Sequence, residues 1–341
     1  MTRRSAILAA IRRFFAYRDF LEVETPILVR YPGMEPNLDP FATRLRLEDG
    51  AEFPGFLITS PEYSMKKLLA GGLPRIFEIT KCFRNGEPWS LADSGERGTH
   101  NPEFTMIEWY RANADYRAIM ADTEEMVAAA AKEVAGTTGL VYQGQPIDFE
   151  PPWPRLTVAE AFKRYVGIDL DRGIDDHGWF RRAVADKGCP VADQEPFDDV
   201  FFKIFLRDIE PRLGAAEPGK PARPVILYEY PRSMAALARL KEADRRFAER
   251  FEVYCLGLEL GNAFSELNDA VEQRRRLEEE SAERRRLNKF PYELDEQFIE
   301  AVATMPDSAG IAFGVDRLVM LLTDAPSIRD VLFFPASDLF K

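Results

Sequence analysis

The sequence predicts an α+β domain built around a largely antiparallel sheet. Strand-like segments occur early and late in the chain, at residues 21–28, 55–63, 74–84, 223–231, 250–264 and 309–317. Helical patterns precede, separate and follow these two groups of strands. Strands and helices that are segregated along the chain, instead of alternating one by one, are typical of α+β folds.

The first segment, MTRRSAILAAIRRFFAYRDF, is basic and then apolar. Ile7, Ile11, Phe14 and Phe15 follow helical spacing, while two arginines interrupt the apolar run. The run is too short for a membrane span, and no small-residue cleavage site follows it. We therefore predict an amphipathic helix of the folded domain, and we expect no membrane attachment.

The middle of the chain is helical in character. Residues 118–135 are rich in Ala and predict a helix, a Pro-rich passage at 146–154 predicts a linker, and 157–213 favours helices. We expect a single domain over residues 1–341 with a helical insertion at about 150–220. The charged segment 268–287 contains Glu280 and Arg284 at i,i+4 and predicts a helix with a solvated face.

Composition restricts the classes of function. The 45 basic residues are outnumbered by 57 acidic ones, which argues against a broad electrostatic surface for nucleic-acid phosphates. Cys82, Cys189 and Cys255 lack paired spacing, so neither a zinc site nor a disulfide framework is predicted. Free thiols favour a reducing cytoplasm.

A first group of candidate residues lies in residues 82–111, where two predicted strands are joined by a long polar loop. Because side chains alternate across a strand, Phe104, Met106, Glu108 and Tyr110 share one face. A buried acid beside aromatic rings is costly unless a cation or hydrogen-bond donors meet it. Glu108 is therefore either paired with a core arginine or available for the amine of a ligand.

A second group lies in residues 250–269, where Asn262, Phe264 and Glu266 fall on one face of a predicted strand. Glu252 and Glu259 lie seven residues apart across a bend that contains glycine. Carboxylate oxygens are ligands that Mg²⁺ prefers, so this pair is a candidate site for magnesium bridging ATP phosphates. Two glutamates on their own are weak grounds for a metal site.

A third group lies in GIAFGVDRLVMLL, residues 310–322. A strand of small residues runs into a helix whose first turn carries Arg317. Gly310 and Gly314 would let a ligand approach the backbone, and a helix start with an arginine favours phosphate. Close packing explains the two glycines equally well.

These stretches resemble the motifs of the class II aminoacyl-tRNA synthetases. ETPIL is similar to their first, dimer-forming motif, FRNGE…HNPEFTMIEWY to the second and GIAFGVDRLVMLL to the third. TSPEYSMKKLL, LELGNAFSELNDA and SIRDVLFFP resemble the lysyl branch, and the resemblance covers essentially the whole chain. It implies the class II catalytic fold, an antiparallel sheet flanked by helices, with ATP and Mg²⁺ as cofactors.

The resemblance assigns ATP-binding roles residue by residue. Arg84 would bind the α-phosphate, Arg317 would hold the γ-phosphate end, and Phe104 would stack on adenine. Arg84 and Arg317 are therefore the expected catalytic residues. The other expected ATP contacts are Asn85, Gly86, Glu87, His100, Asn101, Glu259, Leu260 and Gly314. Magnesium would be held by Glu259 and Glu252.

The resemblance also implies an amino-acid pocket. Glu62, with Ser60 and Pro61 beside it, would meet the α- or β-amine of the substrate. The side chains expected around the ε-ammonium are Glu108, Tyr110, Asn262, Phe264 and Glu266. Two acids around one ammonium suit a lysine-like substrate and penalise neutral side chains.

In one place the sequence departs from the family pattern. A short loop usually follows FRNGE, whereas here PWSLADSGE is inserted. The glutamate of the second motif is therefore either Glu87 or Glu96. We favour Glu87 because it adjoins the motif.

The subtype is indicated by what surrounds the motifs. The first motif begins almost at Met1, so we expect no anticodon-binding domain and no anticodon contact with tRNA. The chain then resembles the elongation factor P lysine ligases, truncated lysyl-synthetase paralogues that attach (R)-β-lysine to a lysine of elongation factor P. Ala312 supports this, because these ligases have alanine where lysyl synthetases have glycine. The family's dimer motif implies a homodimer.

Two other functions remain open from the sequence. The first is a free-standing enzyme that activates α-lysine and charges a tRNA without anticodon contact. The second is an inactive, synthetase-derived binding subunit, which would be expected to have lost its charged ATP contacts. Arg84, Glu259, Glu266 and Arg317 all persist, which disfavours the inactive subunit.

Overall fold

The structure is a computed structural model that describes residues 1–88 and 98–340. Its helices are α1 (Thr2–Ala16), α2 (Glu62–Ala70), α3 (Tyr116–Ala135), α4 (Val158–Tyr165), α5 (Leu170–Asp175), α6 (His177–Ala185), α7 (Phe197–Ile204), α8 (Ala270–Arg286), α9 (Glu296–Thr304), α10 (Val315–Thr323) and α11 (Ala336–Leu339). Its strands are β1 (Leu21–Glu22), β2 (Leu28–Val29), β3 (Ala42–Arg46), β4 (Glu52–Leu57), β5 (Arg75–Phe83), β6 (Glu103–Ala112), β7 (Gly139–Tyr142), β8 (Gln145–Asp148), β9 (Arg155–Thr157), β10 (Val225–Tyr228), β11 (Arg250–Cys255), β12 (Leu258–Ser265) and β13 (Ser308–Gly314). The predicted α+β class is confirmed.

The chain divides into two compact units. The first comprises Met1–Asp115 with Glu266–Lys341, and the second comprises Tyr116–Ser265. The predicted helical insertion, residues 150–220, lies within the second unit. The description of the whole chain as one domain stays a prediction.

In the first unit the strands pair in the order β1, β5, β6, β13. The β5–β6 and β6–β13 pairs are antiparallel, whereas β1 runs parallel to β5. A smaller antiparallel sheet has the order β2, β4, β3. The predicted strand at 21–28 is interrupted between β1 and β2, where Pro26 has no N–H to donate to a ladder. The predicted strand at 55–63 ends at Leu57, because α2 begins at Glu62.

The predicted N-terminal helix is present as α1. Its apolar stripe, Ile7, Ile11, Phe14 and Phe15, is buried. Phe15 stacks on Phe77 of β5, with ring centroids 4.9 Å apart. Helix α1 is therefore part of the core of the first unit. Among the described residues, no helix is both long and apolar enough to cross a membrane.

In the second unit the strands pair in the order β12, β11, β10, β9, with β7 and β8 forming a separate hairpin. The pairs β10–β11 and β11–β12 are antiparallel, and β9 runs parallel to β10. Helices α4 to α7 pack around a buried aromatic cluster that includes Phe162, Phe180, Phe197, Phe201 and Phe205. This cluster explains the helical character predicted for residues 157–213.

Candidate active site

The face of the sheet that carries Glu108 is built from three adjacent strands of the first unit. Glu108 on β6 pairs directly with Ala312 on β13, and Tyr110 pairs with Gly310. Directly opposite residues point to the same side of a sheet. The predicted sharing of one face by Glu108 and Tyr110 is confirmed, since the Tyr110 hydroxyl donates to Glu108 Oε2 at 2.8 Å.

Glu108 is fully buried and is held by hydroxyl groups. Ser60 Oγ donates to Glu108 Oε1 at 2.5 Å and accepts from the Glu62 N–H at 3.0 Å. Burial, followed by the charge of Glu62, raises the pKa of Glu108 to about 8. The described partners of Glu108 are hydroxyl groups instead of a core arginine, and its contact with a ligand amine stays a prediction.

Gly310 has a packing role. A side chain at this position would place its Cβ 2.2 Å from the ring of Tyr110. The ring of Tyr110 therefore occupies the space above Gly310. The expectation that Gly310 admits a ligand to the backbone is wrong, and the packing alternative holds. Gly314 ends β13 and is the N-cap of α10.

Lys66 is a buried cation that the sequence interpretation missed. Its Nζ lies 2.5 Å from Glu62 Oε1 and 2.6 Å from Glu266 Oε2. These two carboxylates raise the pKa of Lys66 against the opposing effect of burial. Glu62 and Lys66 are spaced i,i+4 on α2, which was a detectable signal in the sequence.

Glu266 lies just beyond the end of β12 and is almost completely buried. Its Oε1 has no hydrogen-bond partner in the described parts of the chain. Burial raises the pKa of Glu266, Lys66 opposes this rise, and Glu62 adds to it. We call Glu62, Glu108 and Glu266 the carboxylate cluster: Glu62 and Glu266 contact the Lys66 ammonium, and the charges of Glu62 and Lys66 reach Glu108.

Three of the predicted ATP-binding residues of the first unit, Arg317, His100 and Glu87, lie together near the start of α10. Arg317 donates from Nη2 to His100 Nε2 at 3.1 Å, and Glu87 Oε2 lies 3.7 Å from the same nitrogen. Burial, and then the charges of Arg317 and Arg84, lower the pKa of His100 to about 4. The neutral imidazole therefore accepts a hydrogen bond from Arg317 and orients its guanidinium. Glu96 lies outside the described residues.

Arg84 and Phe104 are neighbours, with the guanidinium carbon of Arg84 5.1 Å from the centroid of the Phe104 ring. Asn85 follows Arg84, and its N–H donates to the Asp39 carbonyl at 2.7 Å. Gly86 has a φ of +78°, a conformation that favours glycine. The end of β5 is therefore held against the segment that contains Asp39.

Asn101, a predicted ATP contact, has a structural function. Its Nδ2 donates to the Glu103 carbonyl at 2.5 Å, and its Oδ1 accepts from the Ala336 N–H at 2.9 Å. Both ends of the amide therefore bind backbone groups. Direct contact of Asn101 with ATP stays a prediction.

In the second unit, a β-bulge brings Glu252 and Glu259 onto one face. Glu252 pairs with Asn262, but Tyr254 pairs with Glu259, so Leu260 is the extra residue of β12. Without the bulge Glu259 and Asn262, three residues apart, would point to opposite faces. Phe264 lies opposite Arg250, and the guanidinium of Arg250 donates to Asn262 Oδ1 at 3.0 Å.

The carboxylate of Glu252 is already well satisfied. Tyr230 and Tyr254 donate to its Oε2 at 2.5 and 2.6 Å, and Arg250 donates to its Oε1 at 2.5 Å. A carboxylate has about four acceptor positions, so one remains. Glu259 is only half-buried, and binding of a metal ion by either carboxylate stays a prediction. Within the described ranges, no group of three or more His, Cys, Asp or Glu is arranged as a metal site.

Helix α8 has the predicted solvated face, on which Arg275, Glu279 and Arg286 are exposed, but Arg284 lies on its buried side. Arg284 is 1% exposed and donates from Nη1 to the carbonyls of Glu35 and Leu38, both at 2.8 Å. Its Nη2 donates to Asp39 Oδ1 at 2.9 Å. A guanidinium has five N–H donors in a fixed fork, which suits it to hold a loop through several carbonyls.

Comparison with known proteins agrees with this fold. The family described as tRNA synthetases class II (D, K and N) matches residues 1–338, and the chain belongs to this family. It is similar to the lysine–tRNA ligases of Moorella thermoacetica, at 40% identity over 97% of the chain, and of Bacillus subtilis, at 38% over 97%. The chain spans 64% and 62% of the lengths of these relatives.

Proposed function

We propose that this protein activates a lysine-type diamino acid with ATP to form an aminoacyl adenylate. The observation that carries the proposal is the carboxylate cluster: Glu62 and Glu266 contact the buried ammonium of Lys66, and the fully buried Glu108 is within range of the charges of Glu62 and Lys66. Buried carboxylates are costly unless cations or donors compensate them. Lys66 is one cation for three acids; a substrate with two ammonium groups supplies the remaining positive charge, whereas an amino acid with a neutral side chain supplies only one ammonium.

In the proposed reaction, an oxygen of the substrate carboxylate attacks the α-phosphorus of ATP. The bond from this phosphorus to the bridging oxygen breaks, and pyrophosphate leaves. Arg84 and Arg317 neutralise the charge that develops on the phosphates. The contact between Arg317 and His100 orients the guanidinium before ATP binds. Mg²⁺, which Glu259 with Glu252 would hold, neutralises phosphate charge when bound.

The test of this proposal is pyrophosphate exchange by the purified chain. Exchange is expected to depend on a lysine isomer and to proceed without tRNA. Methionine, whose unbranched side chain approaches that of lysine in length without an ammonium, serves as the matched negative substrate, and leucine serves as a shorter one. Exchange with those amino acids at the lysine rate would overturn the proposal.

We further propose that the preferred isomer is (R)-β-lysine and that the acceptor is a lysine amine of elongation factor P. Ala312 supports this choice, because its methyl group lies on the same face of the sheet as Glu108. In the transfer step the neutral acceptor amine attacks the acyl carbon, an amide forms, and AMP leaves with loss of a proton to solvent. This reaction would take place in the cytoplasm.

Charging of a tRNA with α-lysine is the alternative, and the names of the two relatives favour it. An intact-mass measurement of elongation factor P after incubation with ATP and each isomer separates the two functions. A mass increase with (R)-β-lysine supports the ligase. Efficient charging of tRNA without modification of the factor would establish the alternative.

We also propose a homodimer that forms through the segment around Pro26. Apolar side chains of this segment are exposed, with Leu21 at 53%, Ile27 at 39% and Leu28 at 42%. Contiguous exposed apolar groups are typical of interaction surfaces. Sedimentation is expected to show a dimer that survives dilution, and an active monomer would contradict it.

A further inference from the structure

A cleft of about 630 Å³ opens in the first unit beside Glu62. Three segments line it: residues 24–35, residues 58–68 and the start of α9. Ser60 and Glu62, both predicted to recognise the substrate, lie on its wall. The cleft also contains a second acid, Glu35, to which the motifs assign no role.

One oxygen of the Glu35 carboxylate is unsatisfied, although the backbone N–H of Glu35 itself hydrogen-bonds to the carboxylate. Its Oε2 is shielded from solvent and has no hydrogen-bond partner within the described residues. Burial raises the pKa of Glu35, and the charge of Glu62 raises it further. A buried carboxylate oxygen without a donor is unfavourable in the empty protein, and a ligand cation would remove the cost.

Gly33 creates the space that Glu35 occupies. A Cβ at position 33 would lie 2.2 Å from Glu35 Oε2 and 3.0 Å from its Cδ. The carboxylate of Glu35 is therefore folded back over the backbone of Gly33. Any larger residue at position 33 would displace this carboxylate.

Arg284 fixes the backbone that carries Glu35. It donates to the Glu35 carbonyl at 2.8 Å and to Asp39 Oδ1 at 2.9 Å. Asp39 in turn accepts, through its carbonyl, from the N–H of Asn85. The backbone segment that carries Glu35 is thus held by Arg284 of α8 and by Asn85 of the second motif.

The charges around Glu35 indicate which part of a substrate it would meet. Three charges reach its carboxylate. That of Glu62 raises the pKa of Glu35, whereas those of Arg84 and of Lys66 on α2 lower it. Glu280 on α8 is a further acid in its neighbourhood. Glu62 is the proposed partner of the amine near the reacting carboxylate, and Arg84 of the α-phosphate. Glu35 is therefore within electrostatic range of the proposed partners of both the amine and the α-phosphate, and the cleft that it shares with Glu62 favours the amine.

We propose that Glu35 is a specificity-determining residue that binds, together with Glu62, the substrate ammonium group nearest the reacting carboxylate. This inference rests on the proposed function and deepens it. A pair of carboxylates at this position selects diamino acids over compounds that carry only the distal ammonium. It also gives a role to Gly33, which leaves room for the Glu35 carboxylate, and to Arg284, which holds the Glu35 backbone.

The test compares Glu35→Gln with wild type in pyrophosphate exchange with α-lysine and with (R)-β-lysine. Loss of one charge-assisted hydrogen bond is expected to raise KM for both isomers roughly tenfold to a hundredfold. The matched probe is 6-aminohexanoate, which has the distal ammonium but no amine near the carboxylate. Its inhibition constant is expected to be unchanged by Glu35→Gln.

Two further variants complete the experiment. Gly33→Ala displaces the Glu35 carboxylate without removing its charge, and it is expected to raise KM for the same two isomers. This variant takes the place of Glu35→Gln in the experiment if Glu35→Gln does not fold. Glu296→Gln removes an exposed carboxylate that lines the same cleft and pairs with Arg274, and its KM is expected to match wild type. Unchanged KM in Glu35→Gln, or equal weakening of 6-aminohexanoate, would overturn the role of Glu35. Absence of lysine-dependent exchange in wild type would instead overturn the proposed function, and the inference with it.

Discussion

Lys66 Nζ lies 2.6 Å from Oε2 of Glu266, a carboxylate that is 1% exposed and 200 residues away in the chain. The same ammonium lies 2.5 Å from Oε1 of Glu62. One internal cation therefore compensates two carboxylates of the proposed amine pocket. The pocket is held together, before any substrate binds, by a contact between the first and last thirds of the sequence.

Lys66→Met is expected to destabilise the protein by roughly 3–5 kcal/mol, because it leaves two buried carboxylates without their cation. Urea unfolding measures the loss. The double variant Lys66→Met with Glu266→Gln is expected to recover part of it, since it removes one of the uncompensated charges. Equal stability of the single and double variants would show that the ion pair does not hold the pocket.

Arg317→Ala and Arg84→Ala are each expected to reduce the exchange rate by orders of magnitude while the protein stays folded. Both side chains are proposed to neutralise phosphate charge in the transition state, and such contacts affect kcat more than binding. Arg286→Ala, which removes an arginine exposed on α8, is the matched control and is expected to keep full activity. Full exchange activity in Arg317→Ala or Arg84→Ala would contradict the site assignment.

Ala312→Gly is expected to raise activity with α-lysine relative to (R)-β-lysine. The methyl group lies opposite Glu108, and one methyl group in a pocket is worth roughly 1–3 kcal/mol of discrimination. Glu266→Gln is expected to weaken both isomers alike, because both carry the same ε-ammonium. Ratios of kcat/KM for the two isomers measure the effect. An unchanged ratio in Ala312→Gly would remove Ala312 from the specificity determinants.

The raised pKa of Glu108 predicts a pH dependence of stability. Its pKa rises from 4.5 in the exposed group to about 8 in the folded protein. Between these values the folded state binds more protons than the unfolded state, so the free energy of unfolding falls as pH rises. Glu108→Gln is expected to lose this contribution. Urea unfolding of both proteins from about pH 5 to about pH 8 tests it, and parallel curves would contradict it.

Much of the fold and of the candidate site was accessible from periodicity and motifs. Alternation along β6 placed Glu108 and Tyr110 on one face, as their hydrogen bond confirms. Helical spacing identified the buried stripe of α1. The bulge that aligns Glu259 with Glu252 was not predicted, because a single inserted residue leaves no periodic signal in a short strand.

The sequence by itself determined the α+β class, the order of the three motifs and the side chains available for an amine and for phosphates. It did so because strand alternation and helical spacing are properties of neighbouring residues. Only the tertiary structure decided which charged groups are buried: Lys66 between two acids, Arg284 under the segment of Glu35, and Tyr110 over Gly310. Burial of a charge depends on contacts between distant segments, and no local pattern records which segments will meet.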